Sequence, residues 1–478
     1  MLFNSFAFAV FLPTVFAIYW LIPHKYRWIV LMVSSYYFYM SWNARYVLLI
    51  LGVTVITYLG AICIRRVGGQ REKIVLGAVV LTLLGILLVF KYWNFAVDTI
   101  NVVCQKISVP LHPVTVQLLL PVGISFYIFQ ALSYVIDVYR GEIEPELHFG
   151  KYAVFVSFFP QLVAGPIERS RNLLSQVSSR HEFDYQTAVY GIKLMAWGFF
   201  KKMVVADNLA AYVDTVYADV NAYRGFSLAV ISVFFSLQIY CDFSGYSDIA
   251  IGTAKLFGFR LMDNFKSPYF SASIKEFWKR WHISLSSWFQ DYVYIPLGGN
   301  RKGKFRKQLN LLVTFLVSGL WHGAAWHFVI WGGIHGLYQV AENILEELGA
   351  ASKCRKFPQG VKILLVFCCV DFAWIFFRLP TADAWYVIRN MCAGISLPLH
   401  YVREGFYQLK IDRYDMAQLC ISIVPLLLYD GLSLRTDVIG LISGKKWFFR
   451  WAVYYMVGIA VLLFGIHAVS TEFIYFQF

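Results

Sequence analysis

The sequence predicts an all-α polytopic membrane protein, and three observations support that prediction. Of the 478 residues, 59% are hydrophobic and 15% are charged, whereas soluble domains are roughly 45–50% apolar and about 25% charged. The apolar residues form many runs of about twenty residues, the length that an α-helix needs to cross a bilayer. The net charge of +14 comes from Lys and Arg clustered in short loops between these runs. This is the positive-inside pattern, so the charge indicates topology in a lipid bilayer and we expect no nucleic acid partner.

The first part of the chain predicts five spanning helices and then a broken one. The apolar segments lie near residues 3–22, 28–42, 46–64, 74–97 and 114–138. Lys25 and Arg27 follow the first segment, so the charge bias places this loop in the cytoplasm and the N-terminus outside. Residues 151–166 are short, apolar and interrupted by proline and glycine. We expect a re-entrant segment, which is tolerated only where protein or a cavity covers the backbone.

The next two predicted helices carry charge among apolar residues. Three lysines lie on a helix near 187–206: Lys193, Lys201 and Lys202. We expect them to be half-buried, with their ammonium groups reaching the interface. The apolar run 226–258 contains Asp242 and Asp248. Buried carboxylates usually pair with a base or a hydroxyl, so these two predict a structural network or, alternatively, a role in shaping a tunnel.

Residues 268–308 form the longest polar stretch. Its three tryptophans are Trp278, Trp281 and Trp288. Together with neighbouring lysines they predict an amphipathic helix at the membrane interface, with the aromatic side chains inward. His282 either supports proton transfer or is an ordinary interfacial histidine. The basic residues in 301–307 are either a topology signal alone or an attraction for an anionic donor.

Residues 310–338 form an apolar run interrupted by Trp321-His322-Gly323. His322 lies about twelve residues into this predicted helix, roughly 18 Å deep in a ~30 Å bilayer core. A histidine at membrane depth is a candidate functional residue, because an imidazole that titrates near neutrality can act as a general base. The alternative is a packed histidine, which is at least as good an interpretation for His327 and His335. The glycines here predict close approach of backbone or ligand.

The remaining apolar segments lie near 360–378, 415–430 and 450–468. The charge bias predicts that the last of them runs outward. We find no repeat and no soluble region, so a single integral-membrane domain is predicted over residues 1–478. The eight cysteines have none of the spacings that bind zinc, and no phosphate loop or Ser-His-Asp order appears. We therefore expect no metal and no tightly bound cofactor.

Five motifs in order resemble the membrane-bound O-acyltransferase family, and within it the branch that acetylates exported polysaccharides such as alginate. The motifs are LLPVGISFYIFQALSYVIDVYRG (119–141), FFPQLVAGPIER (158–169), YCDFSGYSDIAIG (240–252), SIKEFWKRWHISLSSWFQDYVYIPLGGNR (273–301) and GLWHG (319–323). In this resemblance the family's near-invariant histidine falls on His322, and its second histidine falls on His282. The resemblance covers nearly the whole chain.

The resemblance implies a ring of about 11–13 transmembrane or re-entrant helices around a thin centre, where a cytoplasmic funnel meets an extracellular one. It implies a multi-pass O-acetyltransferase of the bacterial inner membrane, with acetyl-CoA or another acyl-CoA or acyl-carrier thioester as its donor substrate. An extracytoplasmic hydrolase-like acetyltransferase is the implied partner that acylates the polysaccharide. The alternatives are D-alanyl or other acyl transfer to a cell-envelope polymer and, in a different class, a polysaccharide transporter.

Residues 473–478, FIYFQF, are termed the aromatic tail below. They resemble the separate peptide that serves D-alanylation of teichoic acids. Interface-seeking aromatic side chains offer an alternative explanation, in which the tail is an anchor. A tyrosine hydroxyl is a poor nucleophile at its free pKa of about 10, but a histidine base activates it. We therefore predict that Tyr475 carries the acyl group transiently, with His322 as its base.

Overall fold

The computed structural model of the protein describes residues 1–108, 115, 120–349, 357–395, 397–466 and 473–474. Every regular element within these residues is a helix. In the described part of the chain, six helices are long and apolar enough to cross a membrane: Ala44–Val67, Gln70–Lys106, Phe226–Leu256, Gln359–Arg378, Arg413–Ser433 and Trp447–Phe464. Phe6–Leu21 and Ile124–Tyr139 are apolar but shorter. The prediction of an all-α polytopic membrane protein is confirmed.

Contacts between residues divide the chain into two compact units. The first comprises residues 1–191, 253–262 and 323–325, and the second comprises residues 192–252, 263–322 and 326–478. The helices Tyr185–Phe199 and Phe226–Leu256 contribute residues to both. The single domain predicted over residues 1–478 stays a prediction.

The first unit contains the N-terminal helices and the segment that we expected to be re-entrant. Its complete helices are Phe6–Leu21, Arg27–Met40, Val47–Val67, Gln70–Leu87, Trp93–Lys106, Ile124–Tyr139, Phe149–Ser157 and Ser170–Ser178. Phe149–Ser157 has nine residues and is followed by turns. Residues 152–170 are buried without exception. Irregular backbone at membrane depth needs such a protein covering, and the re-entrant character of this segment stays a prediction.

The second unit contains three short helices that the apolar pattern did not predict, Thr381–Asn390, Pro398–Gln408 and Val438–Ser443. Its other complete helices are Asp207–Ala218, Ile274–Arg280, Ile283–Phe289, Lys304–His322, Trp326–Glu347, Gln359–Arg378, Arg413–Ser433 and Trp447–Phe464. Most of the short helices have few apolar residues in a row, so hydropathy alone does not reveal them.

The run 310–338 folds as two helices that pack against each other, Lys304–His322 and Trp326–Glu347. A Cβ on Gly319 would overlap the carbonyl oxygen of Phe328, so the predicted close approach is confirmed at this glycine. His322 is the last of nineteen residues in its helix. The expectation that it lies twelve residues into a longer helix was wrong, because the chain turns directly after it.

The single amphipathic helix expected within 268–308 is also wrong in detail. Two seven-residue helices, Ile274–Arg280 and Ile283–Phe289, flank His282. The break follows from the left-handed backbone of His282, with φ 44° and ψ 54°, which no α-helix can continue through. The three tryptophans of this stretch are 1–7% exposed, so their predicted inward orientation is confirmed.

Candidate active site

His282 is fully buried and is held by backbone contacts on both sides. The N–H of Ile283 donates to the carbonyl oxygen of Asn264 at 3.0 Å, and the N–H of Lys266 donates to that of Arg280 at 2.9 Å. A left-handed residue other than glycine costs of order 1–3 kcal/mol and persists where its surroundings determine it, often at functional sites. The two pairings therefore fix a conformation that aims one imidazole into the interior of the second unit.

The side chain of Asn264 orients the His282 ring. Its Oδ1 lies 3.1 Å from His282 Nδ1 and accepts from both the N–H (3.3 Å) and the hydroxyl (2.8 Å) of Ser284. Because a backbone N–H can only donate, this atom of the amide is the oxygen, and Nδ1 must carry the hydrogen. His282 lies outside the six spanning helices, and burial lowers its pKa to about 3. The neutral ring therefore keeps its lone pair on Nε2.

The His322 ring lies close to His282, with 6.5 Å between the ring centroids. His322 is 4% exposed. Among the described residues, three other rings meet it edge-to-face: Trp321 at 4.9 Å, Trp331 at 5.0 Å and Phe377 at 5.3 Å. The structure thus brings together the two histidines that the sequence singled out. Aromatic walls keep water from such a centre, and two adjacent imidazoles can pass and accept protons there.

The other two histidines within residues 310–338, His327 and His335, have packing contacts. Trp278 Nε1 donates to His335 Nδ1 at 3.3 Å, and His335 is fully buried. His327 Nδ1 lies 3.0 Å from the carbonyl oxygen of Phe376. These contacts favour the packing interpretation of both residues.

A second buried polar group, termed the charged cluster, consists of Lys201, Lys202, Asp207, Asp242 and Asp248. Lys202 Nζ lies 2.6 Å from Asp242 Oδ1 and 2.9 Å from Asp207 Oδ1. Lys201 Nζ lies 2.5 Å from Asp248 Oδ2. The two aspartates that the sequence singled out are therefore paired with bases, which favours the structural network over the tunnel alternative.

The expectation of lysines reaching the interface was wrong for Lys201 and Lys202, which are 4% and 9% exposed. They lie in a π-helical turn, Phe200–Ala206, directly after a close helix crossing. At that crossing a Cβ on Gly198 would lie 2.7 Å from the carbonyl oxygen of Gly245. The short separation brings both lysines within reach of the aspartates. Lys193 is half-buried as expected.

The described part of the aromatic tail is bound to this cluster. Phe473 and Ile474 are each 2% exposed, and the N–H of Ile474 donates to Asp242 Oδ2 at 2.7 Å. Asp242 therefore joins the buried lysine to the tail backbone. Tyr475, the predicted acyl carrier, lies outside the described residues.

One ring separates the tail from the histidine pair. Phe473 contacts Phe243 with 5.7 Å between centroids, and Phe243 meets His282 edge-to-face at 4.6 Å. Phe473 and Ile474 thus pack within the second unit, beside the wall of the candidate active site.

Asn264 is the functional candidate that sequence reasoning missed. It lies 18 residues before His282 and belongs to no motif that carries chemistry. No sequence signal points to it, because Asp263 and Lys266 make the stretch around it look like an ordinary polar connection. In the described part of the chain, no three His, Cys, Asp or Glu side chains are arranged to hold a metal ion.

Comparison with known proteins gives consistent matches. The model of the MBOAT, membrane-bound O-acyltransferase, family matches residues 36–377, which include both histidines of the pair. The probable alginate O-acetylase AlgI of Azotobacter vinelandii is 42% identical over 434 residues, covering 89% of this chain and 84% of that protein. The protein of the same name in Pseudomonas aeruginosa is 40% identical over 442 residues, which cover 91% of this chain and 82% of that protein. The peptidoglycan O-acetyltransferase of Helicobacter pylori is 34% identical over 413 residues, or 79% and 76%.

Proposed function

This chain belongs to the membrane-bound O-acyltransferase family, and from that premise we propose that it acetylates hydroxyl groups of an exported polysaccharide such as alginate. The relatives support this acceptor, because their names describe acetyl transfer to alginate and to peptidoglycan. D-alanyl or other acyl transfer would use the same machinery and remains the alternative within the family. Membership of an acyltransferase family favours transfer over the transporter alternative.

The observation that carries the proposal is the pair of His322 and His282, with 6.5 Å between their rings inside an aromatic enclosure. In the proposed reaction a hydroxyl oxygen attacks the thioester carbonyl while His322 takes its proton. A carbon–oxygen bond forms, the carbon–sulfur bond breaks, and the proton passes to the departing thiolate. His282, held by Asn264, supports the reaction with its Nε2 lone pair.

The donor in this proposal is acetyl-CoA or another acyl-CoA or acyl-carrier thioester that arrives from the cytoplasm. The basic residues in 301–307 support an anionic donor, because the charge bias predicts the cytoplasmic side for them. An extracytoplasmic hydrolase-like acetyltransferase then passes the acetyl group to the polymer. The protein would lie in the bacterial inner membrane.

Tyr475 is proposed to hold the acetyl group between these two steps. Its phenolic oxygen would bond to the acetyl carbon as the thiolate leaves, and the aryl ester would then transfer to the partner enzyme. Support comes from the two residues before it. Phe473 and Ile474 are buried against Phe243 and Asp242, so the two residues directly before Tyr475 lie close to the His282 side of the pair.

The proposal is tested by His322→Ala in cells, with the acetyl content of the exported polysaccharide as the readout. We expect acetylation to fall by about 10²–10⁴-fold, as is typical for loss of a general base. His327→Ala is the matched control, because it removes a nearby imidazole whose contact is with the carbonyl oxygen of Phe376 and not with His282. Near-normal acetylation by His322→Ala at wild-type protein level would refute the assignment.

A further inference from the structure

A cavity of about 510 Å³ in the first unit has a strongly basic lining. Its basic residues are His24, Lys25, Arg27, His148, Lys151 and His181, and no Asp or Glu is among its described lining residues. Ligand pockets in proteins span roughly 300–1,000 Å³, so the space suits a small molecule or a headgroup. Aromatic side chains complete the wall, among them Tyr26 and Trp28.

One side of the cavity is held rigidly by hydrogen bonds to backbone carbonyls. Arg27 Nη1 donates to the carbonyl oxygen of His181 at 2.8 Å, and the guanidinium lies 5.0 Å from the centroid of the Tyr19 ring. His24 Nε2 lies 2.8 Å from the carbonyl oxygen of Ser179. The arginine charge is therefore fixed in place, no carboxylate in the described part of the chain pairs with it, and its guanidinium retains further N–H donors.

The two ammonium groups of the cavity are available to a ligand. Neither Lys25 nor Lys151 forms an ion pair with any residue that the structure describes. Lys25 Nζ lies 5.6 Å from the Tyr26 ring. Lys151 lies in the first turn of Phe149–Ser157, where Gly150 leaves room for the Trp28 ring. The Trp28 ring thus packs against the backbone next to Lys151, and both residues line the cavity.

Concave surfaces lined by one sign of charge focus the electrostatic potential and concentrate ions of the opposite sign. Arginine and lysine together are the side chains that most often recognise phosphate, the former through its fork of donors and the latter as a point charge. We propose that this cavity binds the phosphate group of an anionic ligand. The basic loop at residues 24–27 predicts the cytoplasmic side for the opening.

Two sources of phosphate reach that side of a membrane. One is the headgroup of an anionic phospholipid, since the cytoplasmic leaflet attracts basic residues next to the bilayer. The other is a soluble phosphate-bearing molecule such as CoA. The chemistry of recognition is the same in both, and it is independent of which acyl group the histidine pair transfers.

The test uses the purified full-length protein and the double variant Lys25→Gln/Lys151→Gln, which removes two charges and retains side-chain length. Lipid binding is counted by native mass spectrometry after exposure to vesicles of phosphatidylglycerol or of phosphatidylcholine alone. CoA binding is measured by calorimetry at two salt concentrations. Arg71→Gln/Lys73→Gln is the matched control, because it removes two exposed charges from the start of the helix Gln70–Leu87, in a basic stretch for which the charge bias also predicts the cytoplasmic side.

We expect the wild type and the control to bind one of the two probes, with affinity that falls as salt rises, and the double variant to bind it about tenfold or more weakly. Retention of phosphatidylglycerol that the double variant loses identifies a lipid site, and binding of CoA that the double variant loses identifies a soluble ligand of this cavity rather than of the transfer site. If the wild type binds neither probe, or the double variant binds as well as the wild type, the proposal is wrong. Thermal unfolding of the double variant at the wild-type temperature verifies that the comparison is between folded proteins.

Discussion

The histidine pair and the charged cluster both bury polar groups in the second unit, and they do so in opposite ways. In the charged cluster, full charges are neutralised by each other at 2.5–2.9 Å. In the histidine pair, His282 is neutral and bonded to an amide, and aromatic rings enclose His322. A charged side chain that is paired with a buried partner does not readily change its protonation state, because breaking a buried pair costs about 3–5 kcal/mol. A neutral imidazole can gain and lose a proton during a reaction.

This difference assigns the histidine pair to catalysis and the charged cluster to stabilisation of the fold. Burial and charge alone would have marked the charged cluster as the functional site, since ionisable residues at membrane depth are functional candidates by default. The contacts reverse that expectation, because the cluster's Asp242 binds the backbone of the aromatic tail at Ile474. The cluster therefore holds in place a segment that packs beside the histidine pair.

Lys202→Met should have the largest effect, because it should lower the stability of the folded protein. The change removes the cation that Asp207 and Asp242 share, which leaves two buried carboxylates without their base. Loss of one partner from a buried pair costs about 3–5 kcal/mol. We expect little folded protein in the membrane, and a markedly lower unfolding temperature for whatever is purified in detergent.

Lys193→Met is the matched control for this experiment. Lys193 is half-buried on the same helical segment and donates to the Ser443 hydroxyl at 2.8 Å, so its removal leaves no buried carboxylate behind. We expect it to resemble the wild type. If Lys202→Met unfolds at the wild-type temperature, the charged cluster has no architectural role and the comparison fails.

Tyr475→Phe should have the next largest effect, and it should spare the fold. The substitution retains the ring, which is all that an interfacial anchor needs, and removes only the hydroxyl that would carry the acetyl group. We expect acetylation of the polymer to be lost, together with the acetylated tail peptide detected by mass spectrometry in the wild type. Tyr455→Phe, at a tyrosine that is 63% exposed, is the control. Normal acetylation by Tyr475→Phe would make the tail an anchor and favour direct transfer.

The sequence predicted the membrane helices well because their signal is local. The segments expected near 46–64 and 360–378 correspond to Val47–Val67 and Gln359–Arg378. Hydropathy needs only neighbouring residues to reveal a helix of spanning length. It cannot reveal that Lys202 is buried, because one of the two carboxylates that pair with it, Asp242, lies 40 positions further along the chain.

The candidate site was predictable only in part, for a related reason. His282 and His322 stood out as chemically distinctive residues in an aromatic, apolar setting, and the structure brings their rings together. The break at His282 was not predictable, since the tryptophan spacing around it is that of one amphipathic helix. Asn264 was missed because an amide has no pattern of its own. Its importance comes from the three hydrogen bonds that meet at its oxygen.

Asn264→Leu should have the smallest effect. It tests whether the tautomer of His282, which Asn264 sets, matters for acetyl transfer. Leucine is close to asparagine in size but accepts no hydrogen bond, so Nδ1 of His282 and the N–H of Ser284 lose their shared acceptor. The imidazole is then free to adopt the other tautomer, which would place the hydrogen on Nε2 and remove the lone pair needed there. We expect kcat for acetyl transfer to fall about 10–100-fold while KM for the thioester is unchanged, by analogy with the loss of groups that orient a histidine ligand.

Asn264→Asp separates this positioning role from packing. Aspartate retains the accepting oxygen, so the tautomer of His282 should be preserved and most activity retained. A carboxylate beside the ring favours the imidazolium, which raises the pKa of His282 from the low value set by burial. The acidic limb of the pH–rate profile should therefore move to higher pH in this variant, because the neutral ring is present only above that pKa. If Asn264 serves only to stabilise the fold, both variants should show a reduced protein level and the acidic limb of the pH–rate profile should stay where it is in the wild type. That outcome would refute the role of Asn264 in orienting His282.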